Sequence, residues 1–306
     1  MSVITKPVVT KSGYVAIIGI PNAGKSTLMN AIIGSKLSIV TPKPQTTRKR
    51  VLGIYSDENT QIIFLDTPGI LTPKYKMQSA MMDYVSHSID EADCIIYIYD
   101  VSKYKPQNAI KQNIKNILTK INSSNKKIIC LLNKLDLLRD VKEILPIIAD
   151  MNSLNLFSDI IPISALKESN IKDVIKTITN YLPNNNFYYD AELLSTQPER
   201  FFVSEIIREN IFFAYNEEIP YSTEVNIVEF KEREYGKWYI NAEIIIEKNS
   251  QKGIIIGKNG EKLKSLMEHS RKAIEEHLQV GVYLEVFVKV RPKWRNNSTY
   301  LKSFGY

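Results

Sequence analysis

The sequence contains few cysteines and no long apolar run. Cys94 and Cys130 are the only cysteines among 306 residues, and each lies inside a short apolar stretch. Because a disulfide-stabilised secreted protein needs more of them, both are predicted to be buried hydrophobic side chains in a reducing, cytoplasmic compartment. No stretch approaches the ~18 to 20 apolar residues of a membrane-spanning helix, and residues 1–11 lack the apolar block of a signal peptide. The chain is therefore expected to be soluble, with peripheral membrane contact left open.

Internal repeats and long low-complexity tracts are also absent, and the composition is that of an ordinary globular protein. Hydrophobic residues make up 44% of the chain and charged residues 24%, over a length sufficient for two domains. The formal net charge of +7 suggests an anionic partner. The second half is polarised, because residues 248–306 carry 12 basic and 5 acidic side chains whereas residues 184–247 carry 5 and 13.

The first half alternates short apolar runs with amphipathic stretches, which is typical of an α/β domain with a mostly parallel sheet. Strands are predicted over residues 14–18, 60–66, 94–100, 127–132 and 159–163, and a hairpin adds an antiparallel strand over 51–55. Helices are predicted over residues 26–33, 75–90, 108–121, 142–150 and 171–181.

Pro183, followed by three asparagines, ends the last of these helices, so the domain boundary is placed there. The predicted organisation is a first domain over residues 1–183, a linker over 184–198 and a second domain over 199–306. In the second domain, helices are expected over 199–215 and 262–277, paired strands over 221–230 and 237–248, and a closing strand over 282–290.

A phosphate-binding pattern, G-x-x-x-x-G-K-S, lies between a predicted strand and a predicted helix. This is the context that the pattern requires, so a plain glycine-rich turn is the weaker interpretation. Its glycines let backbone amides approach a β-phosphate, Lys25 is expected to neutralise the β- and γ-phosphates, and the Ser26 hydroxyl is expected to bind Mg²⁺. The predicted nucleotide contacts of this loop are Gly19, Ile20, Pro21, Asn22, Ala23, Gly24, Lys25, Ser26 and Thr27.

Two further loops complete a guanine-nucleotide pattern. The first is Asp-Thr-Pro-Gly at the end of a strand, where Asp66 is placed to hold magnesium and the Gly69 amide to meet the γ-phosphate. The second is Asn-Lys-Leu-Asp, whose Asp136 is able to accept both donors of the guanine N1 and N2 edge, which adenine lacks. Each tetrapeptide alone is more often a plain loop, but beside the phosphate loop they indicate a GTP site. The predicted contacts are Asp66, Thr67, Pro68, Gly69, Ile70, Asn133, Lys134, Asp136, Ser164 and Ala165.

These elements, in this order and spacing, resemble the translation-factor-like GTPases over residues 13–182. The resemblance implies a mobile switch loop around residues 43–50, whose threonine closes on Mg²⁺ when the γ-phosphate is present. Thr47 is the predicted ligand and Thr46 the alternative; an exposed basic loop is the simpler interpretation. The predicted metal ligands are Ser26, Thr47 and Asp66, and the predicted catalytic residues are Lys25, Thr47, Gly69 and Asn22.

Ile70 stands where many signalling GTPases place the glutamine that orients the attacking water, and an aliphatic side chain cannot do so. Hydrolysis is therefore expected to be slow without assistance. GTPases with an asparagine at the position of Asn22 and a hydrophobic residue after the glycine often recruit a monovalent cation. The resemblance thus suggests K⁺ as a further cofactor beside GTP or GDP and Mg²⁺.

A second motif, Gly-Lys-Asn-Gly over residues 257–260, matches the G-x-x-G loop of KH domains and precedes a basic helix. The order helix, strand, strand, helix, loop, helix, strand resembles the type II KH fold, which clamps about four nucleotides of single-stranded RNA. A helix-capping glycine beside a charged helix face is the structural alternative. Trp294 has two possible roles: its ring provides a stacking platform for a base, or it packs inside the domain. The predicted RNA contacts are Ile254, Ile255, Gly257, Lys258, Asn259, Gly260, Lys262, Lys264 and Trp294.

A GTPase domain followed by one KH domain is similar to the Era family, and further segments at 38–42, 45–48, 198–201 and 205–209 resemble it as well. The resemblance implies an α/β P-loop GTPase domain with a mixed, mostly parallel sheet, followed by an α+β type II KH domain. It also implies a monomeric bacterial or organellar ribosome-assembly factor that binds the 3′ end of small-subunit (16S) rRNA and assists 30S subunit assembly. Such a protein is expected in the cytoplasm, with peripheral association with the inner membrane.

Three other functions are weighed against this hypothesis. An ATP-dependent phosphotransferase built on the same loop requires adenine recognition, against which Asn133 and Asp136 argue. An RNA-binding scaffold with a vestigial GTP site, or a nucleotide-gated scaffold with little hydrolysis, remains an alternative. The favoured hypothesis is that GTP orders residues 43–50 and the segment after Gly69, that this ordering favours RNA engagement, and that hydrolysis resets it.

Overall fold

The structure is a computed structural model that describes residues 10–106 and 110–306. Its backbone packing divides the chain into two compact units. The N-terminal unit contains the described residues of Met1–Ser38, Thr47–Leu71 and Met82–Thr196, and the C-terminal unit contains Ile39–Thr46, Thr72–Met81 and Gln197–Tyr306. Two short segments of the first half thus belong to the C-terminal unit, which the sequence pattern did not indicate.

A six-stranded sheet forms the centre of the N-terminal unit. Its strands are β1 (Lys11–Ile18), β2 (Val51–Ser56), β3 (Thr60–Asp66), β4 (Cys94–Asp100), β5 (Lys127–Asn133) and β6 (Asp159–Pro162). They lie in the order β2-β3-β1-β4-β5-β6, and every pair is parallel except β2 with β3. Strands β3 and β4 are buried along their whole length, as near-continuous apolar strands in such sheets are. The mixed, mostly parallel sheet is confirmed.

Among the described residues, the helices α1 (Lys25–Ile33), α3 (Gln112–Ser123), α4 (Ile144–Ser153) and α5 (Ile171–Tyr181) accompany this sheet. Helix α2 (Lys76–Glu91) joins them from Met82 onward, and its first residues are counted with the C-terminal unit. The amphipathic pattern explains their packing: α3 buries Ile114, Leu118 and Ile121, which recur on one helical face. The predicted start of this helix at Asn108 lies outside the described residues.

The residues predicted as a linker pack against the N-terminal unit as far as residue 196. The amide of Ile54 in β2 donates a hydrogen bond to the carbonyl oxygen of Leu194 at 2.8 Å. The Gln61 Oε1 atom in β3 accepts the amide of Tyr188 at 2.8 Å. Because these contacts use backbone groups and one long-range side chain, the polar composition of the segment gave no sign of them.

The C-terminal unit is built from helices on one three-stranded sheet. Its elements are α6 (Glu199–Ala214), α7 (Ile219–Ser222), β7 (Glu224–Lys231), β8 (Trp238–Ile246), α8 (Asn249–Ile256), α9 (Glu261–Leu278), β9 (Val282–Val290) and α10 (Ser298–Ser303). Strand β8 pairs antiparallel with β7 and parallel with β9. The apolar sides of α6, α8 and α9 meet the sheet in one core. The predicted order is present, and the short α7 and α10 are additions to it.

Trp294 is part of the packing of the C-terminal unit. Its side chain is 0% exposed, and its Nε1 donates a hydrogen bond to the carbonyl oxygen of Ser222 at 2.9 Å. Its ring meets the ring of Phe304 edge to face, with centroids 5.7 Å apart. A ring buried in this way has no face to offer an RNA base, so the stacking-platform prediction for Trp294 is wrong and the packing alternative is right.

Membrane insertion through a helix finds no support in the described part of the chain. Within residues 10–106 and 110–306, no helix has the combined length and apolar character that crossing a membrane requires.

Candidate functional site

The phosphate loop joins β1 to α1 at the carboxyl edge of the sheet. Gly24 has a φ of 103°, and a Cβ at this position would lie 2.2 Å from Asn133 Nδ2, so only glycine fits. Lys25 is buried in the first turn of α1, where its Nζ donates to the carbonyl oxygen of Ile20 at 3.1 Å. Burial lowers the pKa of Lys25 to about 8, because the ammonium has lost its water. The loop therefore holds a desolvated cation that a phosphate group would stabilise.

All three predicted metal ligands lie together beside this loop. Ser26 Oγ donates a hydrogen bond to Asp66 Oδ2 at 2.7 Å and lies 2.8 Å from Thr47 Oγ1. Ser38, which the sequence analysis missed, also donates to Asp66 Oδ2, at 2.9 Å. Burial raises the pKa of Asp66, because the charged carboxylate is removed from water. Two hydroxyls and one carboxylate are hard oxygen donors of the kind that Mg²⁺ prefers, so these residues fit that ion.

The two threonines considered as the switch ligand have different surroundings. Thr47 belongs to the N-terminal unit and lies beside Ser26. Thr46 belongs to the C-terminal unit, where its Oγ1 lies 2.7 Å from the Thr41 hydroxyl and donates to the carbonyl oxygen of Lys43 at 2.8 Å. The structure therefore brings Thr47, and not Thr46, to the metal end of the site.

The segment after β3 lies against the phosphate loop. The amide of Ile70 donates to the carbonyl oxygen of Gly19 at 2.9 Å, and a Cβ on Gly69 would lie 2.6 Å from the backbone nitrogen of Pro21. This close approach requires glycine at position 69. The Ile70 side chain is 5% exposed and packs in the hydrophobic core. It therefore contributes nothing to orienting a water molecule at the phosphates.

Asn133 ties the base-reading residues to the phosphate loop. Its Nδ2 donates to the carbonyl oxygen of Ala23 at 2.8 Å, and its Oδ1 accepts the amide of Ala165 at 2.9 Å. Asp136 Oδ1 accepts a hydrogen bond from the Ser164 hydroxyl. Loops that are distant in sequence are thus joined at one edge of the sheet, as the motif order predicted.

Leu166 is a further side chain at this edge that the sequence analysis missed. It is 70% exposed and lines a cavity of about 320 Å³ between the end of α1 and the loop over residues 165–168. Leu166 lies outside every motif, so the sequence offered no signal for it. Ser38 begins the segment 38–42 that resembles the Era family, but the residue types alone gave it no role.

The G-x-x-G loop connects α8 to α9 in the C-terminal unit. Gly257, Asn259 and Gly260 have positive φ values of 73°, 53° and 79°, and these uncommon backbone conformations reverse the chain between the two helices. Lys258 and Asn259 are exposed at the tip of the loop. Exposed lysines on the adjoining helices are Lys252, Lys262 and Lys264. Positive charge therefore surrounds the loop, where it suits a phosphate backbone.

The two isoleucines predicted to contact RNA have different surroundings. Ile254 is 44% exposed, whereas Ile255 is 0% exposed and lies in the hydrophobic core. The carbonyl oxygen of Ile255 also accepts the Tyr215 hydroxyl at 2.8 Å. The prediction of Ile255 as an RNA contact is wrong, because successive helical side chains point about 100° apart and α8 turns this one inward.

The fold and the site together define a P-loop GTPase joined to a KH domain. A family model described as "50S ribosome-binding GTPase" matches residues 14–134, and one described as "KH domain" matches residues 218–295. GTPase ERA1, chloroplastic, of Zea mays is 44% identical over 97% of this chain and 70% of its own length. GTPase Era of Geotalea daltonii is 41% identical over 96% of this chain and 97% of its own.

A solved structure of Era in complex with MgGDPNP and nucleotides 1506–1542 of 16S ribosomal RNA is similar over 97% of this chain and 99% of that chain. The identity is 39% and the TM-score 0.91. The chain belongs to the Era GTPase family, and it is an enzyme that converts GTP to GDP and phosphate. The predicted fold class, a P-loop GTPase domain followed by a KH domain, is confirmed.

Proposed function

We propose that this chain is a slow GTP-hydrolysing switch that binds the 3′ end of small-subunit (16S) rRNA through its KH domain and assists 30S subunit assembly. The observation that carries the proposal is that one chain holds both a cluster of Ser26, Thr47 and Asp66 beside the phosphate loop and an exposed, lysine-rich G-x-x-G loop. The related Era structure with bound 16S rRNA nucleotides supports the choice of RNA. The domain limits of the proposal are residues 1–183 and 199–306, with a linker over 184–198.

Crosslinking tests the RNA target. The chain is loaded with a non-hydrolysable GTP analogue, irradiated with total small-subunit RNA, and the crosslinked nucleotides are mapped. Crosslinks concentrated at the 3′ end of the rRNA are expected, and they should involve residues of the G-x-x-G loop. Crosslinks scattered over the rRNA in proportion to its accessible surface would remove the proposed target.

At the nucleotide, amides of the phosphate loop and the Lys25 ammonium are proposed to bind the β- and γ-phosphates. Ser26, Thr47 and Asp66 would hold Mg²⁺, which supplies charge neutralisation at the phosphates when bound. The Gly69 amide lies beside the phosphate loop and would donate to the γ-phosphate. Since Ile70 is buried, no side chain at that position orients the attacking water, which supports slow unassisted turnover.

A monovalent cation is proposed to assist the phosphate loop at Asn22, as the family resemblance suggests. Turnover in KCl is expected to exceed turnover in NaCl by about tenfold, because an added positive charge at the transferring phosphate lowers the barrier. The Asn22→Ala variant should lose this difference between the two salts. Phosphate release at matched ionic strength measures both, and equal rates in the two salts for the unmodified chain would exclude the cation.

The switch loop provides the proposed link between nucleotide and RNA. Residues 39–46 belong to the C-terminal unit, where the Lys43 Nζ donates to the carbonyl oxygens of Phe212 and Tyr215 at the end of α6. The residues on either side of this segment, Ser38 and Thr47, contact the predicted metal ligands. Ordering of Ser26, Thr47 and Asp66 by Mg·GTP would therefore act along the chain on residues 39–46, which pack against α6.

Loss of the Lys43 ammonium is expected to uncouple RNA affinity from the nucleotide state. In Lys43→Met, the ratio of RNA affinities with a GTP analogue and with GDP should fall towards one, because the bonds to α6 are lost. GTP affinity should stay within about twofold, since Lys43 lies outside the nucleotide contacts. Lys74→Met, which removes an exposed lysine of the same unit, is the control. An unchanged ratio in Lys43→Met would contradict the proposed link.

The remaining parts of the proposal follow from the family resemblance alone. They are a monomeric state, a cytoplasmic location, contact with the 30S subunit and peripheral association with the inner membrane. Sedimentation with purified 30S subunits and co-flotation with vesicles of inner-membrane lipid test the two contacts separately. Absence of the chain from the floated fraction would remove direct membrane binding and leave the ribosomal contact unaffected.

A further inference from the structure

Asp100 is a fully buried carboxylate outside the nucleotide-binding motifs. It ends β4 and is the register partner of Asn133, which ends β5. Its Oδ2 accepts a hydrogen bond from Lys134 Nζ at 2.7 Å, and its Oδ1 accepts the amide and the hydroxyl of Ser102 at 3.1 and 2.6 Å. A buried charge is tolerated only with such partners, so the bond to Lys134 offsets part of the desolvation cost of keeping this carboxylate inside.

The Lys134 side chain crosses the carboxyl edge of the sheet to make this bond. Its backbone has a φ of 74°, a left-handed conformation that is uncommon for a residue with a side chain. Strands β4 and β5 are adjacent and parallel, so a side chain that starts directly after β5 and ends at Asp100 must span the gap between their ends. Its methylene groups therefore extend across the gap between the ends of β5 and β4, next to the loop that carries Asn133 and Asp136.

We propose that Asp100 is a positioning residue for guanine-nucleotide binding, which holds the Lys134 side chain extended so that its methylene groups form a fixed apolar wall for the purine ring. A free lysine samples many rotamers, and fixing it on binding would cost conformational entropy. The bond to Asp100 fixes it before the nucleotide arrives, which is preorganisation. The inference rests on the proposed placement of the base at Asp136.

The Asp100→Asn variant tests this role in the full-length chain. Its side-chain oxygen still accepts from Ser102, but the charge that holds Lys134 is gone. Affinity for a fluorescent GDP is expected to fall about tenfold, as for loss of one charged hydrogen bond. The preference for GTP over ITP should stay unchanged, because the wall touches the ring face and reads no edge atom. The rate at saturating GTP should stay within about twofold, so that KM changes and kcat does not.

A double-mutant cycle separates positioning from a general effect on folding. In a Lys134→Met background, Asp100→Asn should cause no further loss of GDP affinity, because the bond is already absent. An equal loss in both backgrounds would overturn the proposal, since Asp100 would then act independently of Lys134. Lys103→Gln is the matched control: its Nζ is 3.7 Å from the same carboxylate but its side chain is 52% exposed. GDP affinity should change less than about twofold there.

Lys134→Met alone carries the test if Asp100→Asn fails to fold. Methionine keeps an apolar chain at this position but cannot bond to Asp100, so the same loss of GDP affinity is expected. Unchanged GDP affinity in Lys134→Met would contradict the proposal, because the side chain at position 134 would then need no bond to Asp100 to hold it in place. Asp136→Asn, measured in parallel, tests the base placement itself: if it leaves guanine preference intact, the proposed site has failed rather than the role of Asp100.

Discussion

Replacing Asp136 with asparagine is expected to change nucleotide preference from guanine to xanthine. The carboxylate accepts two donors from the guanine edge, whereas an amide offers one acceptor and one donor, which match the xanthine edge. GTP affinity should fall by about 100-fold or more, because buried polar groups are left unpaired, and XTP affinity should rise. Asparagine still presents an oxygen to the Ser164 hydroxyl, so the loop should keep its shape.

Competition binding against a fluorescent nucleotide measures this exchange. The control is Asp140→Asn, the same chemical change at an exposed residue of the following segment. Asp140 caps a short helical turn by accepting the Lys142 amide at 2.8 Å, and its replacement should leave guanine preference unaltered. Retained guanine preference in Asp136→Asn would contradict the placement of the base. Displacement of GTP by ATP at equal concentration would instead revive the adenine-binding alternative.

The paired change Lys258→Asp with Asn259→Asp is expected to abolish RNA binding without affecting the nucleotide. Both side chains are exposed at the tip of the G-x-x-G loop, where the variant removes a cation and adds two negative charges beside the RNA phosphates. Affinity for an oligonucleotide with the 16S rRNA 3′ end should fall by about 100-fold, and the salt dependence of residual binding should weaken. Aspartate tolerates the left-handed conformation of residue 259, so the loop should fold normally.

The matched control makes the same change in net charge away from the loop, within α9 and directly after its last residue. Lys272→Asp with Gln279→Glu alters two exposed residues and also lowers the net charge by three. RNA affinity should fall by much less than in the loop variant, because general electrostatics decay within about 10 Å at moderate salt. Equal losses in the two variants would mean that the loop itself makes no special contact.

The short motifs and the strongest apolar strands were the parts that the sequence predicted best. Strands β3 and β4 have the predicted bounds, because an uninterrupted apolar run between polar turns leaves little choice of register. Asn133, Asp136 and Ser164 meet at one edge of the sheet, because the carboxyl ends of parallel strands all lie at the same edge. These features depend on local sequence and sheet topology alone.

Contacts made through the tertiary fold were not predictable in the same way. Residues 39–46 pack in the C-terminal unit through Lys43 and α6, which are about 170 positions apart in the chain. Ile255 and Trp294 were taken for RNA contacts because exposure cannot be read from residue type: an apolar side chain beside a binding loop suits a core equally well. Asp100 lies outside every motif, and its role depends on a register with β5 that only the structure shows.

The central claim is that the nucleotide controls RNA engagement by this chain. Its most direct test is the affinity of the full-length protein for the 16S rRNA 3′-end oligonucleotide, measured with saturating non-hydrolysable GTP analogue and Mg²⁺ and again with GDP and Mg²⁺. Tighter binding by about tenfold in the GTP-analogue state is expected, which is within the usual range of coupling between two sites. Equal RNA affinity in the two states would contradict the account.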